Sequence, residues 1–600
     1  MVFYDFEVFK YDWLVVLMDS TNKTDTVIVN DKEKLENFYN EHKSDIWVGY
    51  NSKNYDQYIL KGILTGFNPK EINDFIILQG NYGYKFSSLF NQINLINYDV
   101  ANINDGGLKS LEGFRGVNIH ESSVPFDIDR NLTPEELEET IRYCKNDVEE
   151  TIQVFLNRKE DFESQLNLIN TFKLPLSYIS KTKAQLTAVI LGAVRVHGRN
   201  DEFNISTPTT LKIEKYKEVV KWYQNPVNHN YDKKLEIEVA GVTHTFAWGG
   251  LHGAREKYNA EGYFILVDVA SYYPALMIEY DFLSRNVSDK NKYVEIRDTR
   301  LKLKHELDPK EKPYKIVLNG CYGAMKDQNN NLYDPLQANN VCVSGQLLLL
   351  DLIEKLEPYA EIIQSNTDGI LIKMPESYTN KNQWYSLIDD VCYEWENRTH
   401  MLLEFKDFVK VCQKDVNNYV LVSRTGNYKS KGAYVKKLGV LDYDLPIVNK
   451  AVTDYLIKNV SVEKTINECD KLREFQKIVK ISSKYKYGLY NPKIETEKIR
   501  DDNGKLKTVK RFIGGIKQNE KCYRVFASTD KVNHGSIFKV KNENKNPEKF
   551  ADTPKVCFID NSNVMDKTIP THLDKQYYID LAKKRLEDFG VEAWNFLKDM

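Results

Sequence analysis

The chain has 600 residues, which at about 150 residues per domain allows up to about four domains and excludes a single small binding module. Hydrophobic residues make up 42% and charged residues 28%, a globular composition that excludes a largely disordered chain. The 83 lysines and arginines are balanced by 86 aspartates and glutamates, a net charge of -3, which excludes the bulk basicity of a histone. Nucleic-acid binding would therefore need local basic patches.

The cysteines and the N-terminal residues indicate the cellular compartment of the protein. The eight cysteines include no CxxC pair, which argues against a zinc site and against a secreted disulfide framework. Asp5 and Glu7 stand where a signal peptide would need an apolar run, and no stretch reaches the ~18 apolar residues of a membrane helix. We expect a soluble, unprocessed protein in a reducing cytoplasm, with no membrane partner.

The first part of the chain alternates short strands with helices. Strands are predicted at residues 2–4, 13–18 and 26–29, followed by a polar helix at 32–41. A long helix is predicted over 132–156, because Thr133-Pro134-Glu135 offers an N-cap, a proline at the first position and an acid in the first turn. This alternation predicts an α/β domain.

Further along, apolar runs end at polar residues. Residues 264–267 read as a buried strand that ends at Asp268, and helices are predicted at 297–304 and 341–356. Short apolar runs at 362–363 and 370–372 flank a polar Asn-Thr-Asp-Gly tetrapeptide, which predicts a hairpin with Asp368 at its tip.

A first set of acids lies in the N-terminal third. Asp5 and Glu7 are two apart on a predicted strand and share a face. Tyr143 and Asp147 are four apart on the predicted helix and also share a face. With Asp56, these acids could hold two divalent ions that activate water against a phosphodiester. Each element alone is more typical of a solvated surface.

In their order along the chain, these elements resemble the DxE, Asn-x-x-x-Tyr-Asp and Tyr-x-x-x-Asp motifs of the DEDD-type 3′-to-5′ proofreading exonucleases. The resemblance implies an RNase H-like fold with two Mg2+ ions. It implies these roles: metal ligands Asp5, Glu7 and Asp147, with Asp56 completing the site and Tyr143 orienting the attacking water. Asp99 is a further acid of this region to which the resemblance gives no role.

A second set of polar residues lies between residues 268 and 368. Asp268 follows a predicted strand beside a turn, where free backbone N–H groups favour phosphates. Lys315, Asn319 and Tyr322 share one helical face and offer a cation, an amide and a ring to one ligand. Asp368 at the hairpin tip can oppose Asp268. Two fixed carboxylates that bridge two Mg2+ ions are what in-line phosphoryl transfer needs.

These segments resemble motifs A, B and C of the family B DNA polymerases (DxxSLYP, KxxxNxxYG and the DTDS hairpin), in the family's order and behind an exonuclease. The resemblance implies a right-hand polymerase that uses primer-template DNA and dNTPs. It implies the metal ligands Asp268, Asp368 and the Val269 carbonyl. It also implies these nucleotide contacts: Tyr273 against the 2′-OH, Lys315 and Asn319 at the triphosphate, Tyr322 at the nascent base pair, with Arg300 and Lys304 as further triphosphate contacts for which Arg297 and Lys302 compete.

The chain departs from the family pattern at three places. The hairpin carries Asn366 and Gly369 where the family has an Asp and a Ser. Residues 417–419 read Asn-Asn-Tyr, without the lysine of the family's Lys-x-Tyr element, and residues 248–250 read Trp-Gly-Gly, which only partly resembles its Tyr-x-Gly-Gly.

Residues 427–437 alternate cations with rings, which on a strand would give phosphate contacts and close backbone approach. This segment resembles the family's primer-template contact. Its implied DNA-binding residues are Lys429, Lys431, Gly432 and Tyr434. Residues 484–487 repeat the pattern and are equally typical of a solvated strand.

The fold expected is multidomain α/β and α+β. Its predicted parts are an exonuclease at 1–165, a connecting segment at 166–245, a palm at 246–425 with fingers inserted at about 281–335, and a thumb at 426–600. The short spacings between motifs argue against a protein-primed subclass, and the length suits a compact phage or mobile-element enzyme. We expect a monomer, two Mg2+ ions at each site with Mn2+ as a substitute, replisome proteins as further partners, and the bacterial host cytoplasm if a phage encodes the chain.

Two alternatives remain open from the sequence. Asn366 suggests a nuclease whose polymerase half has degenerated into a DNA clamp. A non-catalytic DNA-binding replication factor is the other, which the intact sets of carboxylates disfavour.

Overall fold

A computed structural model of the chain describes residues 1–21, 23–377, 381–500, 506–518, 520–541, 546–551 and 553–592. The architecture is mixed, with β-sheets and helices in every third of the chain. Among the described residues, no helix is both long and apolar enough to cross a membrane.

The N-terminal part forms a five-stranded sheet. Its strands are β1 (Val2–Val8), β2 (Trp13–Asp19), β3 (Thr24–Val29), β4 (Ile46–Gly49) and β5 (Ile96–Asp99). They lie in the order β3-β2-β1-β4-β5, with β1 antiparallel to β2 and parallel to β4. The helices of this part are α1 (Lys32–His42), α2 (Asp56–Thr65), α3 (Pro69–Asn73), α4 (Leu108–Arg115), α5 (Pro134–Asn157) and α6 (Lys159–Thr171). The predicted strands at 2–4, 13–18 and 26–29 are thus confirmed.

Helix α5 begins as its sequence predicts. The Thr133 side chain accepts a hydrogen bond from the Glu136 backbone N–H, and the Glu136 side chain accepts one from the Thr133 N–H, which completes a capping box. The helix packs on β1 and β2 and buries Cys144, Asp147 and Val148. An amphipathic helix with a buried acid on its apolar face therefore covers the centre of the sheet.

A nine-stranded sheet occupies the middle of the chain. Its strands are β6 (Lys234–Val239), β7 (Val242–Ala247), β8 (His252–Ala254), β9 (Tyr258–Val269), β10 (Glu361–Asn366), β11 (Gly369–Lys373), β12 (Leu403–Asp415), β13 (Asn418–Val422) and β14 (Tyr428–Lys431). They lie in the order β14-β13-β12-β9-β11-β10-β8-β7-β6. Strand β9 is therefore an interior strand between β11 and β12, as the buried run at 264–267 predicts.

Seven helices accompany this sheet in the described part of the chain. They are α7 (Lys183–Ile190), α8 (Lys217–Gln224), α9 (Tyr272–Glu279), α10 (Asn291–His305), α11 (Glu311–Lys326), α12 (Pro335–Leu356) and α13 (Lys381–Thr399). The predicted helices at 297–304 and 341–356 are confirmed as parts of α10 and α12. Helix α12 is buried over nearly its whole length, including polar residues such as Gln346 and Asp351.

The C-terminal part consists of three helices and small sheets. The helices are α14 (Pro446–Lys458), α15 (Val462–Asn467) and α16 (Lys575–Asp588). The strands are β15 (Lys477–Lys480), β16 (Tyr487–Tyr490), β17 (Lys493–Arg500), β18 (Leu506–Ile513), β19 (Ile516–Gln518), β20 (Cys522–Ala527), β21 (Ile537–Val540), β22 (Glu548–Lys549) and β23 (Cys557–Ile559). Single turns of 3-10 or π helix elsewhere in the chain lie at Asp74–Leu78, Gly83–Lys85, Ser88–Gln92, Leu176–Ser180, Pro226–Asn228 and Leu472–Phe475.

Of the cation- and ring-rich segment 427–437, only Tyr428–Lys431 forms a strand, β14. Gly432 has a φ of 103°, which turns the chain out of the sheet. A side chain at this position would also clash with Asn418 Oδ1 and the Asn417 carbonyl oxygen. The glycine is thus required by the turn itself. In the same way, the repeat at 484–487 lies mostly before β16, which begins at Tyr487.

Helix α4 lies between the N-terminal sheet and the C-terminal part. Arg524 on β20 is fully buried, and its guanidinium donates to the carbonyl oxygens of Gly113, Val117, Asp560 and Ser562. Burial without a carboxylate partner lowers the pKa of Arg524 to about 10. Nearby, the Glu121 carboxylate accepts from the backbone N–H groups of residues 521 and 522. Arg524 therefore connects the N-terminal part of the chain with its C-terminal part.

Buried side chains also show how the parts are connected. One hydrophobic core includes residues from Phe3 to Met401, and a second includes residues from Cys412 to Val591. The first core crosses the predicted boundaries at 165 and 245, which stay predictions, as does the boundary at 425.

Candidate active sites

The first candidate site lies on β1. Asp5 and Glu7 share the face of this strand that α5 covers, and Asp56 lies at the start of α2. The Asp56 carboxylate accepts a hydrogen bond from the Phe6 backbone N–H (3.1 Å). One carboxylate oxygen each from Asp5 and Glu7 lies with the Cys144 sulfur in a group whose members are all within 4.8 Å of one another. We call Asp5, Glu7, Asp56 and Asp147 the carboxylate cluster.

Asp147 on α5 is the member of the cluster that pairs with a lysine. Lys109 on α4 forms an ion pair with Asp147 and a second with Glu112 (2.8 Å), and its ammonium lies 4.5 Å from the centre of the Tyr143 ring. Burial opposes the charge of Lys109, but Asp147 and Glu112 outweigh it and raise the pKa of the lysine. The structure therefore brings all five predicted residues of this site into one region and adds Lys109.

Three carboxyl groups of the cluster, those of Asp5, Glu7 and Asp56, have raised pKa values. Burial, followed by repulsion from neighbouring acids, raises the pKa of both Asp5 and Glu7 well above the ordinary range. Burial also raises the pKa of Asp56 to about 7. Glu7 is only 7% exposed and has no hydrogen bond or ion pair to its carboxylate within the described residues. Buried carboxylates of this kind fit a divalent cation, and Asp5, Glu7 and Asp147 are the residues that would hold it.

Asp99 is accounted for by a turn. Its carboxylate accepts hydrogen bonds from the backbone N–H groups of Asn51 (2.8 Å), Lys53 (3.0 Å) and Ala101 (2.9 Å). It therefore shapes the loop that leads to Asp56, and it forms no part of the carboxylate cluster.

The raised pKa values predict how stability depends on pH without metal. The folded chain holds protons on Asp5, Glu7 and Asp56 at pH values where the unfolded chain has released them. The contribution of these groups to stability is therefore greatest below about pH 4 and is lost as pH rises above it, for Asp56 until about pH 7, by about 1.4 kcal/mol per pH unit for each differing proton. In metal-free buffer we expect the thermal midpoint to fall by several degrees over this range, and added Mg2+ to restore most of it above pH 7.

The matched variant for this measurement is Asp5→Asn with Glu7→Gln, which keeps the shapes of the two side chains and removes their ionisable carboxyl groups. We expect its thermal midpoint, measured by differential scanning fluorimetry, to depend much less on pH and on Mg2+. An unchanged pH slope in this variant would mean that the cluster is not the source of the effect.

The second candidate site is formed by β9 and the predicted hairpin, which is confirmed as β10 and β11. Gly369 pairs directly with Asp268 across the sheet, and a side chain at residue 369 would clash with Asp268 Oδ1. The Val269 N–H donates to the Asp368 carbonyl oxygen (2.7 Å). Asp268 and Asp368 are therefore neighbours at one end of the sheet, and the glycine that departs from the family pattern allows this close approach.

Asn366 is held by contacts within the sheet and its turns. It pairs with His252 on β8, its amide donates to the Val416 carbonyl oxygen (3.4 Å), and its oxygen accepts from the Thr367 hydroxyl (3.3 Å). Thr367 has a left-handed φ of 59°, which makes the tight tip between Asn366 and Asp368. The side chain of Asn366 thus has partners within the sheet and its turns.

Lysines surround the aspartate pair. Lys406 on β12 lies 3.6 Å from Asp268 Oδ2. Burial raises the pKa of Asp268, and Lys429 and Lys406 oppose this rise. Burial and then Asp268 raise the pKa of Asp368, again opposed by Lys429 and Lys431. Of the predicted DNA-binding lysines, Lys429 is therefore close enough to influence both aspartates, and Lys431 is close enough to influence Asp368.

Aromatic rings border the same end of the sheet. The rings of Tyr273 on α9 and Tyr322 on α11 lie with their centres 4.4 Å apart, tilted by 52°. The Lys326 ammonium lies 5.4 Å from the Tyr322 ring and donates to the Tyr322 hydroxyl (3.3 Å). The turn that follows Asp268 begins α9 at residue 272, so Tyr273 is attached to the same turn as the aspartate.

The predicted triphosphate contacts have different surroundings. Arg300 is 6% exposed and donates to Glu311 (3.0 Å) and to the Ser271 hydroxyl (3.0 Å), so it supports the turn after Asp268. Lys304 lies 3.6 Å from Glu404. Lys315 and Asn319 are exposed on α11. The roles of these four residues and of the Val269 carbonyl stay predictions.

The other predicted DNA contacts lie on or after β14. Lys429 and Lys431 are exposed. Tyr434 has its ring between two cations, with Lys414 at 4.5 Å and Arg585 at 4.6 Å from the ring centre. This packing gives Tyr434 a structural role, and its contact with DNA stays a prediction.

Sequence reasoning missed three residues that the structure brings to the sites. Lys109 and Cys144 belong to the first site and Lys406 to the second. Cys144 is adjacent to Tyr143, and its position one turn before Val148 on a buried helix face could have indicated it. The strands and helices that carry Lys109 and Lys406 give no local signal, because their partners are distant in sequence.

Comparison of the chain with protein-family models and with curated protein sequences finds no match in either set. A function for this chain therefore rests on its own residues and their geometry.

Proposed function

We propose that the chain is a DNA-directed DNA polymerase with 3′-to-5′ proofreading exonuclease activity. The observation that carries the proposal is the pairing of Gly369 with Asp268, which brings Asp268 and Asp368 together at one end of a sheet among exposed lysines. A second, separate group of buried carboxylates in the same chain supports the exonuclease half.

In this proposal Asp268 and Asp368 hold Mg2+, which when bound offsets the charge of a triphosphate and lowers the pKa of a primer 3′-hydroxyl. The protein's own contribution is position and charge. Lys429 and Lys406 oppose the burial that raises the pKa of Asp268, and Lys429 and Lys431 oppose it at Asp368. Lys315 and Asn319 face the triphosphate, and Arg300 holds the turn after Asp268 through the Ser271 hydroxyl.

Hydrolysis is assigned to the carboxylate cluster. Asp5, Glu7 and Asp147 hold Mg2+, which supplies an activated water when bound. Tyr143 orients that water, and Lys109, paired with Asp147, supplies a fixed positive charge beside the site that can offset charge on a scissile phosphate. The two reactions use different carboxylates and so can be removed separately.

A second candidate is a nuclease whose polymerase half serves only as a DNA clamp. Asn366 favours this alternative, because it stands where the family pattern has an aspartate and its amide is bonded within the sheet. Two observations favour synthesis instead: Asp268 and Asp368 are both present, and their close approach depends on Gly369.

Primer extension separates the candidates. The full chain is incubated with a primer-template, all four dNTPs and Mg2+, and a labelled single-stranded oligonucleotide tests degradation in parallel. Primer extension together with degradation of the oligonucleotide supports the proposal. Degradation without extension, in both Mg2+ and Mn2+, supports the nuclease with a DNA clamp. Binding of DNA with neither reaction would leave a non-catalytic replication factor.

We further propose cytoplasmic action as a monomer, with other replisome proteins as partners. We also propose that the chain has no membrane partner; the described residues contain no helix that is long and apolar enough to cross a membrane.

Discrimination between dNTPs and rNTPs tests the proposed role of Tyr273 at the nucleotide sugar. Tyr273→Val should admit ribonucleotides at least about tenfold better than the parent, because the ring occupies space that a 2′-OH would need, and one such contact contributes about 1.4 kcal/mol or more. The measurement is the ratio of kcat/KM for dNTP and rNTP incorporation. Tyr314→Val on α11 is the control, since its ring contacts Phe172 instead. An unchanged ratio in Tyr273→Val would remove this residue from the sugar pocket.

A further inference from the structure

The thiol of Cys144 lies inside the carboxylate cluster. Its sulfur is 3.6 Å from Asp5 Oδ2 and 3.3 Å from the Asp5 carbonyl oxygen. With a carboxylate oxygen of Glu7, it completes a group of three possible ligand atoms that are all within 4.8 Å of one another. Cys144 is fully buried.

Glu7 gives an independent indication of a ligand at this point. Its side chain is 7% exposed, and in the described part of the chain no donor or cation contacts its carboxylate. One of its oxygens lies within 4.8 Å of both an Asp5 carboxylate oxygen and the Cys144 sulfur. A buried carboxylate without a partner is costly, and a bound cation would remove that cost.

The kinds of ligand atom distinguish between cations. Mg2+ binds oxygen and takes water or carboxylates, whereas thiolate sulfur selects softer metals such as Zn2+ and its heavier relative Cd2+. Zinc takes sulfur at about 2.3 Å and carboxylate oxygen at about 2.0–2.2 Å, in tetrahedral geometry. Ligand atoms around such an ion are about 3.5 Å apart. Small rotations of Glu7 or Asp5 would bring the group to that spacing.

We propose that Asp5, Glu7 and Cys144 form a binding site for one thiophilic divalent cation, Zn2+ or Cd2+, which excludes Mg2+ from Asp5 and Glu7. When the metal–sulfur bond forms, the Cys144 S–H bond breaks and its proton passes to solvent. The two carboxylates and the thiolate occupy three positions, and water takes the fourth. The binding itself is independent of the proposed function. Its consequence, selective loss of DNA degradation, rests on that function.

Cadmium is the probe, because a cadmium–thiolate bond gives a charge-transfer absorption in the ultraviolet. The full chain without DNA is titrated with Cd2+, and affinity is measured by competition with a chelator. We expect Cys144→Ser to lose the absorption of the tightest site and to bind Cd2+ at least about tenfold more weakly. Cys321→Ser is the matched control, since this thiol is equally buried on α11. It should retain both the absorption and the affinity.

The carboxylates are tested in the same way. Glu7→Gln removes a buried charge without a partner, so it should fold, and we expect at least about tenfold weaker Cd2+ binding with the thiol still present. The proposal is overturned if Cys144→Ser keeps the tight absorption, or if Glu7→Gln leaves the Cd2+ affinity unchanged.

An activity measurement separates this inference from the proposed function. In Mg2+ buffer, added Cd2+ should suppress degradation of single-stranded DNA by the parent at concentrations at least about tenfold below those needed with Cys144→Ser. If the parent degrades no DNA in Mg2+ alone, the exonuclease assignment fails, and the Cd2+ titration still decides whether the metal site exists.

Discussion

Asp368→Asn is expected to abolish primer extension. Asp368 and Asp268 are the two carboxylates that β9 and the hairpin bring together, and an amide at residue 368 would leave Asp268 alone to hold cations. Loss of a carboxylate that would hold Mg2+ should lower the rate by several powers of ten, and each factor of ten corresponds to about 1.4 kcal/mol of barrier. The measurement is the single-nucleotide insertion rate in Mg2+.

The neighbouring residue should behave differently. Asn366 bonds to the Val416 carbonyl and to Thr367, so its side chain is already engaged away from Asp268. Asn366→Asp would lose the donor to Val416 and add a negative charge near Asp368, which would raise the pKa of that carboxylate further. We expect extension within about tenfold of the parent.

Glu361→Gln is a control at the far end of the same hairpin strand, where this residue pairs with Arg255. It should extend primers at the rate of the parent. The assignment of the second site would be wrong if Asp368→Asn retained extension. The clamp alternative would be right if the natural chain were inactive in Mg2+ and Mn2+ while Asn366→Asp restored synthesis.

Asp5→Ala with Glu7→Ala is expected to abolish degradation of single-stranded DNA and to leave primer extension nearly intact. The two residues lie on one strand of the N-terminal sheet, and the aspartate pair lies in another sheet with its own carboxylates. Because burial and repulsion raise the pKa of Asp5 and Glu7, ionisation of these carboxyls disfavours the metal-free fold, so their removal should not destabilise it.

Degradation is followed with a 5′-labelled oligonucleotide, and extension with a primer-template in the same buffer. Asp25→Asn is the control, since Asp25 lies on β3 of the same sheet and pairs with Lys145 at its surface. Degradation that persists in the double variant would show that the carboxylate cluster is not a nuclease site.

Local features of the fold were predictable because they depend on neighbouring residues. Thr133 and Pro134 determine the start of α5, and the apolar runs around Asp368 determine the hairpin. The end of β14 at Lys431 was less predictable, because the following Gly432 turn packs closely against Asn417 and Asn418, where a side chain would clash.

The residues of the sites were predictable only as separate motifs. Nothing local indicates that β9 lies between β11 and β12, so neither the contact of Lys406 with Asp268 nor the approach of Gly369 could be derived from spacing. The ion pair of Lys109 with Asp147 likewise joins residues on two helices whose packing depends on the whole fold. The chemistry assigned to both sites stays a prediction.

The buried Arg524 limits how far this molecule can be divided. Four carbonyl groups solvate its charge, two of them at or just after the end of α4, the helix whose other side presents Lys109 to Asp147. A fragment cut after residue 165 would keep all four acids of the carboxylate cluster, yet it would expose the surface of α4 that β20 covers. The N-terminal site therefore cannot be isolated as a fragment with its geometry unchanged. That geometry depends on residues more than three hundred positions later in the sequence.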